Sequence, residues 1–259
     1  MPKTKRSQSN TEKEMGFLDH LEELRWRFIK ILIALVVASI LAFLLSDHVI
    51  DILMRPARLI GSQMSIQVLK VQGLLMLKFT VAFLLGIVLS IPVIAYQFWA
   101  FIAPGLFQNE KRWGPYLIAS VTGFFIIGAV FAYFTLIPFA LKFLIGIGVA
   151  GVERNISIEY YAKFVLQLII ATGLIFQMPV LSFMLTKIGL ITPRFLRKSW
   201  RYAVVIIMIV AAIITPPDPV SLLIMTVPLL FLYEVSIWIS RLASRSKSDE
   251  STEKPELAG

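Results

Sequence analysis

The chain of 259 residues alternates long apolar runs with short polar segments. A helix that spans a bilayer needs about 20 apolar residues, and four of the runs are comfortably this long. The last two runs are shorter, and the sequence TPPDP separates them because its prolines cannot continue a helix. We predict an all-α integral membrane protein with six transmembrane helices, at about residues 28–46, 73–102, 114–139, 161–186, 200–214 and 220–239.

Polar segments enclose this membrane domain, which we place at residues 16–243. Residues 1–15 and 244–259 are rich in Ser, Lys and Glu, and we predict that both are disordered tails. Residues 16–30 carry apolar side chains at helical spacing with charges between them. This pattern predicts an amphipathic helix that lies at the interface and runs into the first span.

Prolines occur inside or at the ends of several spans. Each removes one backbone hydrogen bond and bends its helix. The bends are compatible with ordinary kinks, and equally with a bundle that is bent into a concave surface. We predict the concave bundle. The loop after the first span should hold a short amphipathic helix that ends near Pro56. The prolines of the spans are Pro92, Pro138, Pro179 and Pro228.

The charges are distributed unevenly between the two sets of loops. With six spans both termini lie on one side of the membrane, and that side carries 18 of the 25 Lys and Arg residues. Cytoplasmic loops are enriched in Lys and Arg, so the pattern predicts that both termini are cytoplasmic. The same asymmetry accounts for the net charge of +9, which therefore does not indicate nucleic-acid binding.

Composition and motifs exclude most catalytic chemistry. The chain is 58% hydrophobic, only 16% charged and free of Cys. Its two histidines, His20 and His48, fall on opposite sides of the predicted membrane and cannot form a metal site together. Signatures of metalloproteases, serine hydrolases and phosphate loops are missing from the sequence. We therefore predict a protein that is not an enzyme and needs no cofactor or metal.

An aromatic loop, residues 96–112 with the sequence YQFWAFIAPGLFQNEKR, joins the second and third spans. Its aromatic rings suit a membrane interface, and its acid Glu110 could receive a positively charged ligand. Two further acids, Glu22 and Glu23, precede the first span on the same predicted side. The alternative is that all three acids form exposed local pairs of little energy, with Arg25, Arg27 and Lys111.

Two polar residues fall inside predicted spans. Gln177 lies in the fourth span, where an amide should face protein or a partner helix because lipid cannot satisfy it. Glu234 lies near the cytoplasmic end of the sixth span. An ionisable residue there is a candidate functional site, although a side chain so close to the helix end could also reach the interface.

Taken together, these segments resemble the C subunit of the twin-arginine protein translocase. The resemblance rests on blocks that occur in family order and cover about residues 16–240. They are HLEELRWR, SIPVIAYQFWAFIAPGLFQNEKR, FAYFTLIPFALKFL, GLIFQMPV, ITPRFLRKSWRYA and AAIITPPDPVS, followed by the YE pair of the last span.

The resemblance implies roles for particular residues. Glu23 and Glu110 match the acids that receive the arginine pair of a signal peptide, with Phe101 and Arg25 as supporting positions. Some members of the family carry a glutamate where this chain has Gln177, so we expect a hydrogen-bonding contact to a partner helix there. Pro56 and Asp218 also match family positions.

The function expected from the resemblance is that of a signal-peptide receptor and core scaffold. It would serve a translocase that exports folded proteins across the cytoplasmic membrane of a prokaryote, driven by the proton-motive force. Expected partners are twin-arginine signal peptides, single-span TatA/TatB-type subunits, further copies of the chain and the lipid bilayer. The alternatives are a secondary transporter for a small anion or ion, and a purely structural membrane scaffold.

Overall fold

The computed structural model describes residues 17–59, 65–103, 114–146, 155–215 and 218–252. Two three-residue strands pair in parallel, with Ser65 opposite Asn155, and helices make up nearly all the rest. The elements in chain order are α1 (Phe17–Leu44), α2 (Ser46–Leu59), β1 (Ser65–Gln67), α3 (Gly73–Ile102), α4 (Gly114–Phe131), a π-helical turn (Ala132–Leu136), α5 (Ile137–Gly146), β2 (Asn155–Ser157), α6 (Ile158–Ile175), α7 (Met178–Lys187), α8 (Pro193–Lys198), α9 (Trp200–Ile214) and α10 (Pro219–Thr252).

Five helical segments of the described chain are long and apolar enough to cross a bilayer. This finding confirms the prediction of an all-α integral membrane protein. The predicted sixth span corresponds to α9, an apolar helix of only 15 residues, so the six-span count and the orientation of the termini remain predictions. The five long segments are Leu21–Leu44, Gly73–Ile102, Gly114–Gly146, Ile158–Lys187 and Pro219–Ser244.

The last helix corrects the prediction that both final spans are short. Its apolar segment, Pro219–Ser244, has 26 residues, and α10 continues to Thr252 into the segment predicted to be a tail. Glu234 lies within this segment, and its carboxylate pairs with Arg197 of α8. Only α9 of the two final helices is short.

Proline positions explain two of the helix breaks. The π-helical turn ends just before Pro138, and α6 passes into α7 through a turn at Phe176 and Gln177, just before Pro179. Each proline lacks the N–H that a regular helix would use, so the chain changes its hydrogen bonding there. Pro92 and Pro228, by contrast, lie inside continuous helices.

The helix α2 continues through Pro56 and ends at Leu59, so the prediction of an end near Pro56 is three residues short. A proline deprives the carbonyl four residues earlier of its donor, and here that carbonyl belongs to Ile52. The hydroxyl of Tyr133 donates to it at 2.7 Å. The hydroxyl of Tyr161 donates to the next carbonyl, that of Leu53, at 2.8 Å.

Close helix crossings hold the bundle together. At the α4–α6 crossing a Cβ on Gly173 would lie 2.5 Å from the ring of Phe125, and a Cβ on Gly128 would lie 2.9 Å from the Cα of Gly173. Small residues at such crossings allow backbones in a bilayer to approach closely. α1 packs along α3, and its opposite side is largely exposed. α10 packs on α7 and α9 at the other side of the bundle.

Candidate functional site

The first turns of α1 meet the last turn of α3 at one end of the bundle. Glu23 forms an ion pair with Arg27 one turn later, and the Nε of Arg27 donates to the Oε1 of Glu23 at 3.1 Å. The Nη2 of Arg27 also donates to the backbone carbonyl of Ala100 at 2.8 Å. The side chains are 20% and 18% exposed, so the pair is partly shielded from water. A single guanidinium therefore bridges a carboxylate of α1 and a carbonyl of α3.

The same end of α3 leads into the aromatic loop. Phe101 lies in the last turn of α3, next to Ala100, and is partly buried. Trp99 is 8% exposed, and its indole packs so closely on Gly114 that a Cβ there would lie 2.3 Å from Nε1. This contact joins the last turns of α3 to the first residue of α4. Glu110, which we predicted as the second acid of the site, lies outside the described residues.

The structure brings together only some of the predicted site residues. Glu23 and Phe101 lie on the two helices that Arg27 connects. Arg25 is exposed and lies two positions from Glu23 on a helix, which directs the two side chains to different sides. The sequence indicated Arg27 only as a local ion-pair partner of Glu23. In the structure Arg27 also connects α1 to α3 through the carbonyl of Ala100. Its spacing of four from Glu23 was visible in the sequence, but its contact with Ala100, 73 residues away, was not.

Gln177 lies at the junction of α6 and α7. Its Nε2 donates to the backbone carbonyl of Val121 at 3.0 Å, which ties the junction to α4. Its Oε1 is buried and has no hydrogen-bond partner within the part of the chain that the structure describes. The side chain as a whole is partly exposed. The amide thus uses its donor internally, and its acceptor oxygen is enclosed by the protein.

Glu234 is paired within the chain. Arg197 donates from Nη1 to both carboxylate oxygens of Glu234, at 2.8 Å and 3.0 Å. The neighbouring Tyr233 donates its hydroxyl to the carbonyl of Leu196 at 2.7 Å. These contacts attach α8 to α10. Glu234 therefore lies in an ion pair between two helices, away from the Glu23 site.

Asp218 begins α10. Its Oδ1 accepts a hydrogen bond from the backbone N–H of Ser221 at 2.6 Å, which is the geometry of a helix N-cap. The residue is only 4% exposed. Pro56 is also buried, in α2. It leaves the carbonyl of Ile52 without a backbone donor, and the hydroxyl of Tyr133 donates to that carbonyl instead. These two predicted positions shape the helices and do not join the Glu23 site.

The fold and these contacts define a multi-pass membrane protein with a partly buried, charged site at one end of its helices. Residues 19–228 match the family model described as Sec-independent protein translocase protein (TatC). The chain belongs to this family. It is therefore a protein-transport component and not one of the transporter proteins considered as an alternative.

Curated relatives and solved structures agree with this assignment. The chain is 38% identical to the Sec-independent protein translocase protein TatC of Aquifex aeolicus, over 91% of this chain and 98% of the relative. It is 39% identical to TatCy of Bacillus subtilis, over 92% and 93% of the two chains. It also matches a crystal structure described as the twin arginine translocase receptor TatC, with a TM-score of 0.75 and 38% identity. That match covers 87% of this chain and 99% of the other.

Proposed function

We propose that this chain is the signal-peptide receptor and core scaffold of a twin-arginine translocase. The observation that carries the proposal is the contact of Arg27 with both Glu23 and the carbonyl of Ala100. These two acceptors already bind a guanidinium, the group that an arginine of a signal peptide would present. A crystal structure of a relative is described as the receptor of this system, which supports the same role here.

The chemistry of the site favours arginine over lysine. A guanidinium presents a planar fork of donors that a carboxylate accepts through two parallel hydrogen bonds, whereas an ammonium is a point charge. Each hydrogen bond to a charged group contributes about 1.5–3 kcal/mol.

Glu23 receives one arginine of the pair in this proposal, and Glu110 in the adjoining loop receives the other. Phe101 supports the end of α3, and Arg25 makes a separate contact with the signal peptide.

Binding at Glu23 requires an exchange of partners. In the described structure Arg27 occupies the carboxylate, so an incoming guanidinium takes its place and releases Arg27. The pair is only 18–20% exposed, and Arg27 also bonds to Ala100, so its release has a cost. The signal arginine offsets this cost because it presents the same group to the same carboxylate. The exchange also breaks the link between α1 and α3 at Ala100, and this change can report occupancy to the rest of the complex.

The remaining parts of the proposal concern the assembled translocase. Both termini and the Glu23 site face the cytoplasm, supported by the distribution of Lys and Arg. The partly exposed side chain of Gln177 makes a hydrogen-bonding contact to a single-span TatA/TatB-type subunit. Further copies of the chain join the complex, and the proton-motive force drives export of folded cargo through the assembly. The chain itself has no enzymatic step.

Site-specific crosslinking tests the receptor role. A photoreactive twin-arginine signal peptide is incubated with the wild-type protein and with the Glu23→Gln and Glu110→Gln variants. Glu22→Gln is the matched control, because it removes an exposed acid next to Glu23. We expect crosslinks near Glu23 and in the loop 104–113 that fade in the first two variants and persist in the control. A peptide with two lysines that crosslinks as well as the arginine peptide would overturn the site assignment.

A further inference from the structure

A cationic and aromatic surface lies where α8 meets α9. It consists of Arg194, Phe195, Lys198, Arg201 and Tyr202, which are all exposed, and we name it the α8–α9 surface. The receptor role uses none of these residues. The local hydrogen bonds and the contacts with α10 determine which way this surface faces.

The sequence GLITP sets the position of α8. Gly189 has φ = 83°, a left-handed conformation that only glycine adopts easily, and it ends α7. The N–H of Leu190 bonds to the carbonyl of Leu185 at 2.9 Å, which completes a Schellman motif. Thr192 then caps α8 by accepting the N–H of Phe195 at 3.2 Å, and proline occupies the first helical position.

One face of α8 is attached to α10. The hydroxyl of Tyr233 donates to the carbonyl of Leu196, and Arg197 pairs with Glu234. Leu196 also packs against the buried cluster that contains Tyr233. The short helix is therefore held by Leu196 and Arg197, and its opposite face is directed away from the bundle.

α8 and α9 are joined by a turn at Ser199 (φ −82°, ψ 4°). The N–H of Ser199 bonds to the carbonyl of Phe195 at 2.9 Å, and the N–H of Ala203 bonds to that of Ser199 at 2.9 Å. These two bonds have the spacing of an α-helix and span the turn, and Arg194, Lys198 and Arg201 occur at positions i, i+4 and i+7, the spacing of one helix side.

The exposed side combines uncompensated charge with aromatic rings. Within the described chain no acidic side chain forms a salt bridge with Arg194, Lys198 or Arg201, whereas Arg197 on the attached face is paired. Phe195 is 58% exposed and Tyr202 is 75% exposed. They are seven positions apart, which is the spacing of residues on one side of a helix. Exposed aromatic rings next to cations are typical of the boundary between hydrocarbon and headgroups.

We propose that the α8–α9 surface binds the headgroup of an anionic phospholipid. A phosphate diester is complementary to two arginines and a lysine close together, because the planar fork of Arg donates hydrogen bonds to phosphate oxygens. The rings of Phe195 and Tyr202 lie at the level where the headgroup joins the acyl chains. Since α9 continues from this surface as an apolar helix, the headgroup region is the medium that the surface meets first. Binding fixes the α8–α10 attachment relative to the membrane.

Native mass spectrometry of the full-length protein in neutral detergent tests this site. Phosphatidylglycerol and zwitterionic phosphatidylcholine are titrated separately, and the bound fraction is measured for each. The test variant is Arg194→Gln/Lys198→Gln/Arg201→Gln. The matched control is Lys70→Gln/Lys142→Gln/Lys163→Gln, which also removes three exposed cations, from other segments. We expect the test variant to bind phosphatidylglycerol at least about tenfold more weakly, or about 1.4 kcal/mol, with phosphatidylcholine binding unchanged.

Other results would overturn the proposal. If the test and control variants lose phosphatidylglycerol equally, the attraction is diffuse and no site exists at α8–α9. If the test variant binds the lipid as the wild type does but loses a co-purifying protein, the surface is a protein interface. The melting temperature without lipid identifies a folding defect. A second variant, Phe195→Ser/Tyr202→Ser, keeps all charges and should weaken lipid binding as well.

Discussion

At the scale of single residues, Glu23 is the clearest case in which the described contacts sharpen a sequence expectation. The sequence offered two interpretations, a binding acid or a local pair with Arg27. The structure contains the pair, and it also connects the pair to α3 through Ala100. A resting pair and a binding site are therefore compatible, because the signal arginine and Arg27 offer the same chemical group to the same carboxylate.

Replacing Arg27 tests this exchange. Arg27→Gln removes the internal guanidinium, so we expect the yield of twin-arginine crosslinks near Glu23 to rise severalfold, because Arg27 no longer competes for the carboxylate. The preference for arginine over lysine should fall, since any cation can then approach the carboxylate. Titration of the photoreactive peptide measures both effects. A yield that falls as far as in Glu23→Gln would mean that Arg27 positions Glu23 and does not compete.

The proline of α2 gives a second prediction at this scale. Tyr133→Phe removes the hydroxyl that donates to the carbonyl of Ile52, which should lower the free energy of unfolding by about 1 kcal/mol. Pro56→Ala restores the backbone donor, so Tyr133→Phe should cost much less in that background. Unfolding of the four proteins in detergent gives the coupling energy.

Tyr160→Phe is the control for this cycle, because Tyr160 is 69% exposed and should tolerate the change. Additive costs of Tyr133→Phe and Pro56→Ala would show that the hydroxyl does not compensate for the proline.

At the scale of helices, the close crossing of α4 and α6 depends on glycine. Gly173→Ala places a methyl group 2.5 Å from the ring of Phe125, and we expect a loss of about 1–3 kcal/mol in stability from overpacking. Gly123→Ala is the matched control in α4, since no atom lies within 4 Å of its Cβ position. The control should be neutral or slightly stabilising. Equal melting temperatures for the two variants would exclude a tight crossing.

Helix limits were predictable where apolar runs ended at glycine or proline, and less so elsewhere. The bounds of α3 and α9 agree with the predicted spans 73–102 and 200–214. The full length of α10 was not predicted, because residues 244–252 are polar and were assigned to a tail, although they continue the helix. The contact of Arg27 with Ala100 was not predicted either, because the two residues are 73 positions apart. Sequence periodicity reports neighbours on one helix but not partners on another.

At the scale of the whole molecule, the helices differ in how well they match a bilayer. The sequence suggested that both final spans are short, and a short span can thin the membrane around the protein. The structure restricts this idea to α9, whose 15 residues extend about 22 Å at 1.5 Å per residue. The hydrocarbon core is about 30 Å thick, so the membrane beside α9 must thin or the helix must be shielded by neighbours.

Lengthening α9 tests whether thinning contributes to export. Seven leucines inserted into α9 add about 10 Å and two turns, so the downstream side chains keep nearly the same direction. We expect export of folded cargo by membrane vesicles to fall severalfold, while crosslinking of the signal peptide stays at the wild-type level. Separation of these two readouts matters, because a misfolded variant would lose both. Unchanged export by the lengthened protein would show that the short α9 serves packing against α10 and not the passage of cargo.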